Sequence, residues 1–195
     1  MTTEAAYFAS LPHNTATTNG VFGVKVMLDE DMAPTFQALR KISKMPNLSD
    51  AETTRRCFPG VKLVFLTRRD KVLQAVSYCR ARQTGVWNRY TGETYPENSE
   101  SSYNFDEIQA QVNDLVLREA LWQTFFTSFK EPPFTIVYED YICNPEASIT
   151  SVLAFLGLVL PNDWSMPQLP MEKLADTTST AWAQRYAEES QKKRC

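Results

Sequence analysis

Histidine is almost absent from this chain: His13 is the only one among 195 residues. The four cysteines, Cys57, Cys79, Cys143 and Cys195, form no Cys-x-x-Cys pair. The thiols and imidazoles that hold zinc at characteristic spacings are missing, so no metal centre is expected. Long apolar runs are lacking too. None approaches the roughly 20 residues a membrane helix needs, and no membrane partner is expected. There is no basic excess: 20 lysines and arginines against 23 acids give a net charge of −3. That argues against a nucleic-acid partner, which selects basic surfaces, but leaves room for a local basic pocket. No secretory leader favours an oxidising compartment, so reduced thiols and a cytoplasmic location are expected. Internal repeats and low-complexity tracts are also missing.

What is present is ordinary for a globular chain, with 43% hydrophobic and 22% charged residues. The length suits one domain, taken as residues 1–195, with a sizeable core. Residues 1–20 are polar, and Tyr7, Phe8 and Leu11 suit the end of a helix. Val21 to Leu28 reads as a buried strand, with Val21, Phe22, Val24, Val26 and Met27 nearly continuous. A helix about 32–43 follows, then a loop over 44–60 with Pro46 and a Pro59-Gly60 turn. Val61 to Thr67 is the clearest strand, of the kind that sits centrally with both faces covered.

From Asp70, a good N-cap, the period becomes helical, with Val72, Ala75, Val76 and Cys79 at i, i+3, i+4 and i+7. Residues 85–104 read as a surface loop with Trp87, Tyr90, Tyr95 and Tyr103. A helix of about 105–129 should be deeply buried in its second half, where it is apolar nearly all round. Phe134 to Tyr138 is a third strand. Asn144-Pro145 opens another helix and Gly157 stops it. A last helix is expected at about 179–191. Alternating strands and helices make the class α/β with a mostly parallel sheet flanked by helices.

The chemistry concentrates in Leu66-Thr67-Arg68-Arg69-Asp70-Lys71, running on to Gln74-Ala75-Val76-Ser77. A strand ends, two arginines stand at its carboxyl end, and a helix begins. Open α/β sheets bind ligands at strand carboxyl ends, and a helix N-terminus attracts anions. Arginine adds a bidentate fork for phosphate. Ser77 lies almost two turns beyond Asp70 on the same helix face, leaning back toward the N-terminus. Arg69 and Ser77 can therefore converge on one phosphate. The plainer alternative makes Arg68 and Arg69 solvated charges and Ser77 a filler. A kinase-like phosphotransferase is disfavoured, because no Gly-x-x-x-x-Gly-Lys-Ser/Thr run is present.

Arg69 and Ser77, eight residues apart after a hydrophobic strand, resemble the 3′-phosphate-binding motif of sulfotransferases. Asn19 to Met27, Thr67 to Lys71 with Gln74 to Ser77, and Gln83-Thr84-Gly85-Val86-Trp87 resemble segments of the bacterial trehalose sulfotransferase-like family. So do Tyr138-Glu139-Asp140 with Asn144-Pro145, and Asp176 with Trp182 and Tyr186. These stretches run in family order over nearly the whole chain. The resemblance implies a P-loop-type sulfotransferase fold. It also implies transfer of a sulfonate group from 3′-phosphoadenosine 5′-phosphosulfate (PAPS) to a carbohydrate hydroxyl, as of trehalose.

By the same resemblance, Arg69 and Ser77 bind the 3′-phosphate and Tyr138 lies near the adenine. Arg68 and Lys71 are the next candidates, and Arg185 lies in a segment that closes over the nucleotide. Trp182 in that segment reads equally as a core aromatic. Lys25 resembles a strand lysine that neutralises charge on the moving sulfonate, its alternative being a lysine snorkelling from a strand end. No general base is assigned: Met27 stands where some relatives have a histidine, and His13 falls in no family motif. The Pro-Arg-Ser-Gly-like loop for the 5′-phosphosulfate finds no match among the six glycines. The fold is therefore expected to be N-terminally incomplete, without its first βα unit. The alternative function is a catalytically impaired or non-catalytic nucleotide-binding member of the same fold. The resemblance leaves the acceptor sugar unnamed and a homodimer open.

Overall fold

A computed structural model of the chain describes residues 4–27, 32–92, 101–167 and 177–193. Its elements in chain order are α1 (Glu4–Thr15), α2 (Met32–Ser43), α3 (Asp50–Cys57), β1 (Val64–Thr67), α4 (Lys71–Thr84), α5 (Phe105–Phe126), β2 (Phe134–Val137), α6 (Tyr138–Cys143), α7 (Pro145–Leu156) and α8 (Thr177–Lys192). They fall into two compact units. One holds residues 1–63 and 120–133, the other residues 64–119 and 134–195.

The first unit is helical. Phe36, Ala38 and Leu39 of α2, Ala51 and Thr53 of α3, and Phe126 are buried. Phe36 meets Phe125 with ring centroids 6.3 Å apart, and Phe125 meets Trp122 edge-on at 5.5 Å. Arg40 ties α2 to the following loop, donating from Nε to the Leu48 carbonyl at 2.7 Å and pairing with Asp50.

Helix α3 lies within the stretch expected to be a loop. A capping box starts it: the Ser49 hydroxyl accepts the Glu52 N–H, and the Glu52 carboxylate accepts the Ser49 N–H at 2.9 Å. Ser49→Ala is therefore expected to cost about 1 kcal/mol, read as a lower urea midpoint with unchanged slope. An unchanged midpoint would show that α3 is held by packing alone.

The strand expected over Val21–Leu28 does not form. Residues 21–27 are irregular, with Val24, Val26 and Met27 exposed, and Leu28 lies outside the described residues. An extended run becomes a strand only when a neighbour takes up its N–H and C=O groups, and no described strand pairs with this one. Within it, Phe22 stacks on Phe58 with ring centroids 6.1 Å apart.

The second unit carries the sheet. Strands β1 and β2 pair in parallel, in a register that sets Val64 against Phe134 and Thr67 against Val137. Two strands are described where three were expected, and the first is shorter than Val61–Thr67. Nor is β1 covered on both faces. Phe65 is buried, but Leu66, pointing the other way, is 64% exposed and Val64 is exposed too.

Helix α4 follows the expected pattern. Asp70 caps it by accepting the Leu73 N–H at 2.7 Å, and Gly85 ends it in the left-handed region at φ 73°. Its stripe enters a core of Ala75, Val76, Cys79, Ile108, Trp182 and Tyr186, against which Val72, Phe105 and Val112 pack. In that core the Cys79 thiol is pushed up to about 11, chiefly by burial.

Helix α5 ends at Phe126 rather than near 129, and its second half is not enclosed. Val116, Leu117 and Leu121 are all exposed. The buried face of this helix is narrower than its apolar composition. Helix α7 starts as expected, with the Asn144 side chain accepting the Ala147 N–H at 3.1 Å and Pro145 in the first turn. Gly157 closes it at φ 79°.

Candidate functional site

The parallel register brings the carboxyl ends of β1 and β2 level. Arg68 and Arg69 leave β1 where Tyr138, Glu139 and Asp140 leave β2. The Arg68 guanidinium lies over the Tyr138 ring, 4.7 Å from its centroid. Arg68 Nε is buried and makes no hydrogen bond, and its ion-pair partner Glu139 Oε1 stands 3.7 Å away.

The Glu139 carboxylate straddles the start of α4. Oε2 accepts the Arg69 backbone N–H at 3.0 Å, and Oε1 accepts that of Asp70 at 3.2 Å. Burial pushes this carboxyl up, but the backbone N–H bonds and the Arg68 charge outweigh it and hold it below the ordinary carboxylate range. The Arg69 side chain reaches outward instead and pairs with Asp140, both largely exposed at 58% and 61%. The Asp140 hydrogen bond holds the Arg69 guanidinium firmly protonated.

Lys71 is turned away from this cluster. Its ammonium group lies 2.5 Å from Glu119 Oε2 and donates to the Arg68 carbonyl at 2.5 Å and to Thr67 Oγ1 at 3.2 Å. Thr67 Oγ1 in turn donates to Glu119 Oε1 at 2.8 Å. Lys71 thus locks the strand–helix turn rather than presenting a free charge.

Ser77 sits half-buried on α4. At about 1.5 Å rise per residue it lies roughly 10 Å along the axis from Asp70. A group held by both Arg69 and Ser77 would therefore lie along the flank of α4, not on its end.

Arg185 is engaged elsewhere. It donates from Nε to Glu189 at 2.8 Å and lies 4.0 Å over the Tyr103 ring. Its contacts do not reach Arg68, Arg69 or Tyr138. Trp182 is a core residue, edge-on to Tyr103 at 5.8 Å. Lys25 stands exposed in the irregular 21–27 segment of the first unit, so the strand that its expected role assumed is missing.

The structure thus brings Arg68, Arg69 and Tyr138 together and adds Glu139 and Asp140, to which sequence reasoning gave no role. The available signal was an acidic pair directly after one strand and a basic pair directly after another. What the arrangement offers chemically is two guanidinium groups and an aromatic face at the mouth of a parallel strand pair, suited to a phosphate beside a planar ring. Among the described residues no cluster of three His, Cys, Asp or Glu could hold a metal ion, and no helix is long and apolar enough to cross a membrane.

Residues 1–189 match the family model described as Stf0 sulphotransferase. A trehalose 2-sulfotransferase of Mycolicibacterium smegmatis is 28% identical over 181 residues, covering 90% of this chain and 64% of that protein. A trehalose 2-sulfotransferase of Mycobacterium tuberculosis is 31% identical over 180 residues, covering 89% of this chain and 63% of that protein. The chain therefore spans a little under two thirds of the length of these relatives.

Proposed function

The chain belongs to the Stf0 sulphotransferase family, and from that premise we propose that it binds PAPS and serves in sulfonate transfer to a carbohydrate hydroxyl, with a trehalose-like sugar as acceptor. The observation that carries this reading is the grouping of Arg68 and Arg69 with Tyr138 at the strand ends. The two relatives named as trehalose 2-sulfotransferases support the acceptor class.

In the proposed transfer the acceptor oxygen bonds to sulfur while the bond from sulfur to the bridging phosphate oxygen breaks. The acceptor proton passes to a base, and 3′-phosphoadenosine 5′-phosphate leaves. This chain's part is to hold the donor. Arg69 and Ser77 take the 3′-phosphate, and Tyr138 lies beside the adenine. Arg68, with its unbonded buried Nε, completes the positive wall. Arg185 belongs to the segment proposed to close over the nucleotide. Grip on the far end of the donor is felt alike in ground and transition states, so it governs KM more than kcat.

The test compares 3′-phosphoadenosine 5′-phosphate with adenosine 5′-phosphate by calorimetry. The nucleotide carrying the 3′-phosphate is expected to bind at least about tenfold more tightly, the worth of one charge-assisted bond. Equal affinities would sink the reading.

A further inference from the structure

Two neighbouring acids, Glu139 and Asp140, face the same arginine-bearing turn in different ways. Asp140 meets the Arg69 guanidinium in water, with both partners more than half exposed. An exposed pair of this kind is worth little and exchanges readily. Glu139 hydrogen-bonds to the backbone rather than to the Arg69 guanidinium, one carboxylate oxygen on each of two successive N–H groups. Those N–H groups belong to the residue that carries the guanidinium and to the N-cap of α4. The same carboxylate flanks Arg68 while Arg68 lies on Tyr138. One side chain from the β2 end thus contacts Arg68 and the backbone N–H groups of Arg69 and Asp70.

We propose that Glu139 is a positioning residue for the nucleotide site: it pins the β1–α4 turn so that Arg68 and Arg69 project ready-made toward a phosphate. The inference rests on the reading of this site as a nucleotide 3′-phosphate site. It carries an unusual sign. An acid beside an anion site ordinarily repels the ligand, so its removal should tighten binding. A pin acts in the opposite sense. Without Glu139 the two N–H groups turn to water, the turn gains conformations, and binding must restore one of them.

The test measures affinity by calorimetry for 3′-phosphoadenosine 5′-phosphate and for adenosine 5′-phosphate, in the full chain. Glu139→Ala is expected to weaken the first about tenfold and the second by less than about twofold. Asp140→Asn, which frees Arg69, is expected to strengthen the first about two- to threefold. Glu139→Gln keeps the shape but offers only one acceptor oxygen, so it should fall between Ala and wild type, and it serves if the Ala variant folds poorly. In the Arg69→Ala background, Glu139→Ala should cost less than it does in wild type, because the pin acts in part through that arginine.

Unchanged or tighter binding by Glu139→Ala would overturn the proposal, as would equal losses for both nucleotides or an additive double variant. In each of those cases a large effect of Arg69→Ala would leave the 3′-phosphate reading standing. If Arg69→Ala itself had no effect, that reading would fall and the positioning role with it.

Discussion

Arg69→Ala is expected to weaken binding of 3′-phosphoadenosine 5′-phosphate by about tenfold to a hundredfold. A hydrogen bond to a charged partner contributes roughly 1.5–3 kcal/mol, and each 1.4 kcal/mol is a factor of about ten. Arginine's planar fork presents paired donors to two phosphate oxygens, so Arg69→Lys, with a point charge on a flexible stem, should recover only part of the loss. Folding should hardly notice. The ion pair with Asp140 is exposed on both sides, and such pairs contribute little to stability. The expected signature is a large change in affinity with an unchanged unfolding midpoint. Equal affinities for both proteins would remove Arg69 from the site.

Trp182→Ala should show the reverse pattern. Trp182 is 91% shielded from solvent in the core of the second unit, beside Ala75, Val76, Cys79, Ile108 and Tyr186. Tyr103 meets its ring edge-on and the Arg80 guanidinium lies 5.9 Å over its face. Truncation removes the indole from all of these and leaves a cavity, at a cost of about 3–5 kcal/mol. That is a large share of the stability of an ordinary domain. It should appear as a much lower urea midpoint or as failure to accumulate folded protein. Trp182→Phe, which keeps most of the volume, should bind nucleotide like wild type. Near-normal stability together with lost nucleotide binding would make Trp182 a ligand contact after all.

Where a local signal was sufficient, the elements were legible. Asp70 capping a 3.6-residue stripe predicted α4 and its buried face, and Asn144-Pro145 with Gly157 bracketed α7. The α3 helix carried an equally local signal, Ser49-x-x-Glu52, but it stood in a stretch punctuated by prolines and glycine that reads as loop. Hydrophobicity misled in two places. Val21 to Met27 is apolar enough for a strand, yet strand formation depends on a partner that composition does not name. The second half of α5 is apolar all round, yet Val116 and Leu117 face water.

The candidate site divides in the same way. The place of Arg68 and Arg69, where a strand ends and a helix starts, was legible. The place of Glu139 and Asp140 beside the arginines was not, although Tyr138-Glu139-Asp140 stood among the family-like segments, because it follows from the register of a parallel pair.

That register also bears on the order in which the molecule comes together. The Arg69 amide and the Glu139 carboxylate are 70 residues apart in the chain, and α4 and α5 lie between them. Helices close their bonds over a few residues within about a microsecond. A parallel pair must first meet the entropy of closing a long loop before any contact repays it. Helix α4 can therefore form its cap and stripe while the arginines at its head are still unaimed. They acquire their direction only when β2 docks beside β1. A short peptide holding Thr67 to Ser77 would carry Arg69 and Ser77, the residues proposed to take the 3′-phosphate, without their alignment.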